Sequence, residues 1–368
     1  MRLKEPKNIG IALSGGGIRA MVFHMGLFKW LAEQNLFEQV KKVSTVSGAS
    51  LCVGMIYAHN NLAWPTSEDF LSKILPSVEE SLKVDLQSSA IFSLIASPWN
   101  WNRKANVISS VLERKWGVYG NLQQLSGDVM WYVNCTTFES GKRFRFCKRD
   151  MGDYFLGYVK KPCIPISEIM AASAGFPILI GPYALDTGNY TWEPPYFANE
   201  SWQPPGKQTV HLWDGGVYDN FGLESIYKQK DGRPSDGLDF LIVSNASSPL
   251  GWQNRHKIRH DKNLRRVLEI AMDQVSSVRT QNVMNFLERT GQGIFIKIGN
   301  SADYIAKMSK CSHGLHSLLV SQCVSAEQAL RARDYPTELK RPKKSDFQLL
   351  LRHGYEVTDC TYRCYNEI

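Results

Sequence analysis

Apolar positions in this chain follow two rhythms. Ile9-Gly10-Ile11-Ala12-Leu13 is a short continuous apolar run, as expected of a strand buried on both faces, and it opens into Ser14-Gly15-Gly16-Gly17. Residues 18–36 then carry helical spacing, with Met21, Met25 and Phe28 on one line and Ala20, Leu27 and Leu31 on another. Apolar residues almost encircle that helix, which predicts burial against a sheet. Val43–Val46 repeats the unit, running through Ser47-Gly48-Ala49-Ser50 into a second apolar helix. Strand, tight loop and helix, twice over, predict an α/β fold with a mostly parallel central sheet.

Further along, Val129–Thr136 and Arg143–Cys147 flank Glu139-Ser140-Gly141-Lys142 and predict a hairpin. Phe240-Leu241-Ile242-Val243, inside Leu238–Ser244, predicts another central strand. The strongest helical pattern covers 262–290, where Leu264, Leu268, Ala271, Val275 and Val278 step by four and three and Gly291 supplies the stop. Ile294–Ile298 reads as a last strand, and the tail from Ser345 returns to helical spacing. Pro-rich patches at 194–205 and 336–342 read as surface loops. With no repeat and no low-complexity linker, a single domain over 1–368 is expected.

Composition narrows the classes. An apolar fraction of 43% and a charged fraction of 21% are those of a folded globular chain. No run approaches the roughly 18 apolar residues of a membrane span, and the start of the chain lacks the pattern of a signal peptide. The eight cysteines include no C-x-x-C pair, and His313 and His316 have only Cys311 beside them. Free thiols in a reducing cytoplasm are therefore expected, with no metal. The net charge of +8 suits an anionic partner such as a phospholipid surface or a nucleotide.

Three short constellations carry candidate chemistry. In the first, Ser14-Gly15-Gly16-Gly17-Ile18-Arg19-Ala20, successive glycines let backbone N–H groups converge, and the following helix adds its positive end. Such a cradle serves an oxyanion hole or, through Gly15-x-Gly17-x-x-Ala20, a dinucleotide; it is also compatible with a plain tight turn. No acid stands at the end of the second strand to hold a ribose, and no Gly-Lys-Ser/Thr follows for a P-loop. The second, Thr45-Val46-Ser47-Gly48-Ala49, sets a serine at a strand-to-helix turn, as hydrolases do in G-x-S-x-G elbows. Ser47 reads as nucleophile or as helix cap, with Ser44 and Ser50 as rivals. In the third, Trp213-Asp214-Gly215-Gly216-Val217-Tyr218-Asp219, an acid before two glycines is open to close approach. Asp214 reads as a general base or as an Asx turn, with Asp219 as the fallback.

Taken in this order, the glycine loop, serine elbow and Asp-Gly-Gly resemble the patatin-like phospholipases. Val43–Ser50 is similar to the bacterial branch and to cytosolic phospholipase A elbows. Glu168–Pro177 and Arg352-His353-Gly354-Tyr355 resemble further blocks of the family. The resemblance implies a three-layer α/β/α patatin-like fold and a phospholipase with a serine–aspartate dyad of Ser47 and Asp214. It further implies an oxyanion hole from Gly15, Gly16 and Gly17, support from Arg19, Gly48, Gly215 and Gly216, and no cofactor. Thr45 and Ala49 depart from the elbow's glycines. Some relatives are anti-phage effectors switched on by a cyclic nucleotide. That role would use Arg255, Lys257 and Arg259, in a run to Arg266 with six Lys/Arg and one acid. The same run reads as a solvated helix entry or a lipid-headgroup contact.

Other readings stay open. A Ser-Asp-His triad would draw on His256, His260, His313, His316 or His353. A nucleotide-binding protein would use the glycine loop, and a silent binding protein would keep only the fold. Ala90–Ala96 with Trp99 and Trp101 reads as a core helix or a membrane-touching one, and Tyr183–Pro205 as a lid or a packed loop. The expected partner is the phospholipid membrane surface, touched peripherally; no nucleic acid is expected, and homo-oligomerisation stays open.

Overall fold

The computed structural model describes residues 3–89, 104–176, 180–195, 198, 202–251 and 260–367. Its strands, in chain order, are β1 (Ile9–Leu13), β2 (Val40–Val46), β3 (Met130–Thr137), β4 (Arg143–Phe146), β5 (Asp150–Asp153), β6 (Gly157–Lys160), β7 (Tyr183–Asp186), β8 (Thr209–Asp214), β9 (Tyr227–Lys228), β10 (Arg233–Pro234), β11 (Phe240–Asn245) and β12 (Gly293–Lys297). The centre of the main sheet is parallel in the order β12-β11-β1-β2-β3. Beyond β3 the pairing turns antiparallel, with β4, β5 and β6 in one direction and β8 with β7 in the other.

The parallel centre follows from the sequence rhythm. β1 and β11 are buried at every position, so they read as continuous apolar runs. β1 leads into helix α1 (Gly17–Glu33) and β2 into helix α2 (Gly48–Ala58); both are buried along nearly their whole length. The C-terminal helix Lys344–Glu367 packs against α1, and there the backbones almost touch. A Cβ on Gly354 would meet the Phe23 carbonyl oxygen at 2.0 Å, and one on Gly26 the Leu351 carbonyl at 2.2 Å. The Arg352-His353-Gly354-Tyr355 block is thus the seam between the first and last long helices.

Two expectations change with the tertiary structure. Helix His260–Thr290 forms as its spacing predicts and ends before Gly291, whose φ is 66°. Its core contacts, however, come from Val283, Phe286 and Leu287 near its end, while Val275 and Val278 of the stepping pattern are exposed. The Pro-rich stretch after Asp334 is more than a surface loop. The Ile18 N–H donates to the Glu338 carbonyl (2.9 Å) and the Gln87 N–H to the Leu339 carbonyl (3.2 Å), so this strap lies across the entry of α1.

Candidate active site

Ser47 is the residue between β2 and α2, with φ 55° and ψ −121°, a conformation that L-residues rarely adopt. Such strain persists only where surrounding contacts over-determine it, and here they are visible. The Ser47 N–H donates to Ser173 Oγ (3.0 Å), which donates to the Asn134 carbonyl (2.8 Å). With that proton committed, Ser50 Oγ donates to Ser173 Oγ (2.8 Å), and Thr45 Oγ1, holding Trp131 Nε1–H (2.9 Å), lies 2.9 Å from Ser50 Oγ. A buried relay thus supports the elbow from beneath. It also accounts for Thr45 in place of glycine: the hydroxyl is part of the relay.

β8 ends at Asp214, paired with Cys135 of β3 next to the Val46–Asn134 pair, so β8 meets β2 end to end and the carboxylate emerges beside the elbow. Asp214 is 2% exposed. Its Oδ1 accepts the Gly216 N–H (2.7 Å), while Oδ2 is buried with no hydrogen-bond partner among the described residues. Burial pushes the carboxyl up to about 6, opposed by the Ser47 hydroxyl and then by the Gly216 N–H. The Ser47 hydroxyl is thus close enough to oppose that rise. Gly215 has no room for a side chain, because a Cβ would meet the Asn134 carbonyl oxygen at 2.4 Å.

The glycine loop packs onto the elbow. A Cβ on Gly48 would meet the Gly17 carbonyl oxygen at 2.0 Å, and one on Gly15 would meet Ser47 Cβ at 3.1 Å. The expected three-donor cradle is reduced here. The Gly15 N–H is taken by the Asn220 carbonyl (3.2 Å) and the Ile18 N–H by Glu338, so Gly16 and Gly17 are the donors without a partner among the described residues. Arg19 is buried and donates through Nε to the Ala246 carbonyl (2.9 Å) and through Nη1 to the Tyr335 carbonyl, tying the loop to the strap and to the end of β11. Burial pulls its guanidinium down to about 10, which leaves it charged at neutral pH. Its role is to shape the loop.

These groups open into one cleft of about 720 Å³. Near Ser47 its wall is apolar, with Ile108, Ala174, Phe176 and Ile180. Polar groups also line the cleft, among them Asn245, Ser247, Arg266, Asp273 and Lys297. Arg266 donates to the Gly251 carbonyl (2.9 Å), whereas the Lys297 ammonium has no partner among the described residues.

A family description, Patatin-like phospholipase, matches residues 11–227. The chain belongs to the patatin-like phospholipase family. Among solved structures, human GIVD cytosolic phospholipase A2 is similar in fold, with a TM-score of 0.54 at 14% identity, over 98% of this chain and 60% of that one. This patatin-like chain thus spans less than two thirds of that relative's length. The same human enzyme in complex with methyl γ-linolenyl fluorophosphonate gives 0.48 at 13%, over 98% and 59%. VipD from Legionella pneumophila gives 0.41 at 13%, over 98% and 67%. A search of curated proteins finds no match.

Within this patatin-like phospholipase the rival groups are engaged elsewhere. Ser44 Oγ donates to the Gly222 carbonyl (2.6 Å), and Ser50 belongs to the relay. Asp219 receives the N–H groups of Phe221 and Glu224 and faces Arg279. The second strand ends at Val46 and is followed by Ser47, where a dinucleotide site needs an acid. His316 pairs with Asp303, and His353 Nε2 accepts the Gly299 N–H (2.9 Å) with its pKa lowered by burial to about 4. Among the described residues no histidine lines the cleft. His256, with Arg255, Lys257 and Arg259, lies outside the described residues, as does the side chain of His260 and the segment from Ala90 through Trp99 and Trp101.

In its described part the loop after β7 packs away from the cleft. Trp192 Nε1 donates to the Thr187 carbonyl (3.1 Å), Glu193 bridges to Tyr158, and a Cβ on Gly157 would strike the Trp202 ring; none of these lines the cleft. Tyr196 and Phe197 lie outside the described residues. Two residues escaped the sequence reading: Ser173, hidden in a run of small residues, and His24, one polar residue in an apolar helix. His24 Nε2 lies 2.9 Å from the Ser14 carbonyl and Nδ1 lies 3.0 Å from Ser244 Oγ. A carbonyl can only accept, so Nε2 carries the proton, and burial lowers the ring's pKa to about 4. A neutral imidazole thus braces the glycine loop from below.

Proposed function

We propose that this protein is a lipid acyl hydrolase that cleaves phospholipid esters with Ser47 as nucleophile and Asp214 as general base. One observation carries the reading: a serine held at positive φ on an elbow sits close to a buried carboxylate, and that carboxylate's Oδ2 and the Gly16 and Gly17 N–H groups have no hydrogen-bond partner among the described residues. Family membership supports the lipid class of substrate.

Ser47 Oγ attacks the ester carbonyl carbon while its proton passes to Asp214 Oδ2. The oxygen of the tetrahedral adduct gains negative charge against the Gly16 and Gly17 N–H groups, which the start of α1 reinforces. Collapse breaks the ester C–O bond; the leaving alcohol takes the proton from Asp214, and the acyl group stays on Ser47. Water then attacks the acyl-enzyme with Asp214 again accepting a proton, and the fatty acid departs as Ser47 is restored. The apolar wall suits an acyl chain, and Lys297 suits the phosphate of a head group.

Two substitutions test this. Ser47→Ala and Asp214→Asn should each lower fatty-acid release from phosphatidylethanolamine–phosphatidylglycerol vesicles by roughly 10⁴-fold or more, with the fold intact. A fluorophosphonate should label wild type at Ser47. Turnover retained in a folded Ser47→Ala protein moves the nucleophile elsewhere. Activation by a cyclic nucleotide, and with it an anti-phage role, rests on the family resemblance and the basic run Arg255–Arg266. Vesicle hydrolysis with and without a panel of cyclic di- and trinucleotides tests it, and flat activity across the panel rejects it.

A further inference from the structure

Helix His260–Thr290 is amphipathic in the opposite sense to a helix on a globular surface. Val267 (62% exposed), Ile270 (43%), Val275 (39%) and Val278 (65%) open to solvent, with Ala271 between them on the same side. Their spacing of three, five and three residues places them on one stripe. Arg266, Glu269, Asp273 and Ser276 fall about half a turn away and line the cleft. Polar groups thus face the candidate catalytic cavity, and aliphatic ones face outward. These β-branched aliphatic side chains run along three turns of the exposed face, with Gln274 among them.

We propose that this stripe is the face on which the protein docks to a phospholipid bilayer, seating the rim of its cleft at the lipid headgroups; the inference builds on the hydrolase reading above. Three observations select a bilayer over another protein surface. The helix that carries the stripe also forms a wall of the cleft that holds Ser47, so a bilayer on the stripe lies one helix away from the cleft that its lipids must enter. The chain carries a net charge of +8, which favours an anionic surface. The stripe is also small. Four partly exposed aliphatic side chains offer a few hundred Å² at most, against the roughly 800 Å² that each partner of a stable complex buries.

The test separates docking from catalysis. In a Ser47→Ala background, binding to sucrose-loaded vesicles of phosphatidylethanolamine and phosphatidylglycerol (3:1) is measured by co-sedimentation. The pairs Val267→Glu with Val278→Glu, and Ile270→Glu with Val275→Glu, should each weaken binding by roughly ten-fold or more, because a carboxylate must be desolvated at the interface. Val267→Trp with Val278→Trp should strengthen it. With Ser47 restored, the Glu pairs should lose vesicle hydrolysis in parallel yet cleave a dissolved short-chain ester as wild type does. Absence of wild-type vesicle binding, or unchanged binding in both Glu pairs, overturns the proposal. So does equal loss on both substrates, or a dimer that the Glu pairs dissociate while vesicle binding persists. Because co-sedimentation uses the Ser47→Ala protein, a failure of the hydrolase reading leaves this measurement intact.

Discussion

Removing the charge of Asp214 should make the protein more stable while destroying its activity. Folding raises this carboxyl to about 6, chiefly because burial disfavours the charged form. An unfolded chain ionises it near its ordinary value of about 3.9. Between those two values the folded state holds a proton that the unfolded state has released, so stability falls as pH rises through the window, and the penalty is complete above it. Its size is roughly 3 kcal/mol, from about two pKa units at 1.36 kcal/mol each. Asp214→Asn preserves shape: its Oδ1 still accepts the Gly216 N–H, and its amide can donate to Ser47 Oγ. The variant should therefore exceed wild type by about 2–3 kcal/mol at pH 8 and match it near pH 4, as read by urea denaturation at both values. Wild-type kcat/KM should rise with pH through an apparent pKa near 6, because only the carboxylate accepts the serine proton. A variant no more stable than wild type at pH 8, or a gain that is the same at both pH values, would refute the reasoning.

Three other expectations are sharper for being local. Gly48→Ala should disrupt the elbow, since its methyl meets the Gly17 carbonyl oxygen at 2.0 Å; esterase activity and melting temperature should both fall, and full activity would show that the two loops part freely. Ser173→Ala leaves the buried Ser47 N–H without its acceptor, so roughly 1–3 kcal/mol of stability should be lost together with kcat, measured by denaturation and by turnover of a dissolved ester. Lys297→Ala should raise KM on phospholipid by about ten-fold and leave an uncharged dissolved ester unaffected, while Lys297→Arg restores the phospholipid value; equal effects on both substrates would remove Lys297 from headgroup recognition.

The central architecture was legible because its signals are local. Continuous burial writes β1 and β11 as unbroken apolar runs, and the Ser-Gly-Gly-Gly and Val-Ser-Gly turns punctuate them. The three candidate stretches were legible for the same reason, since tight backbone turns restrict residue type at the turn itself. Which serine occupies the elbow was decided by φ at Ser47 and by the buried partners of Ser44 and Ser50. The glycine donors likewise needed three dimensions: Gly15 loses its N–H to Asn220, and Ile18 to Glu338, partners 205 and 320 residues away.

Periodicity marked the helix at 260–290 but not its orientation. A stripe of Val and Ile at helical spacing reads the same whether it meets a core or faces outward, because spacing records which side chains share a face, not what that face meets. Likewise His24, Ser173 and Lys297 carry no local signature, since their environments are assembled from strands and loops far apart in the chain. Sequence alone thus determined the elements and the chemical groups on offer. Only the folded structure decided which groups are free, which are spent on one another, and which way each face points, because hydrogen-bond satisfaction and burial depend on partners brought together through space.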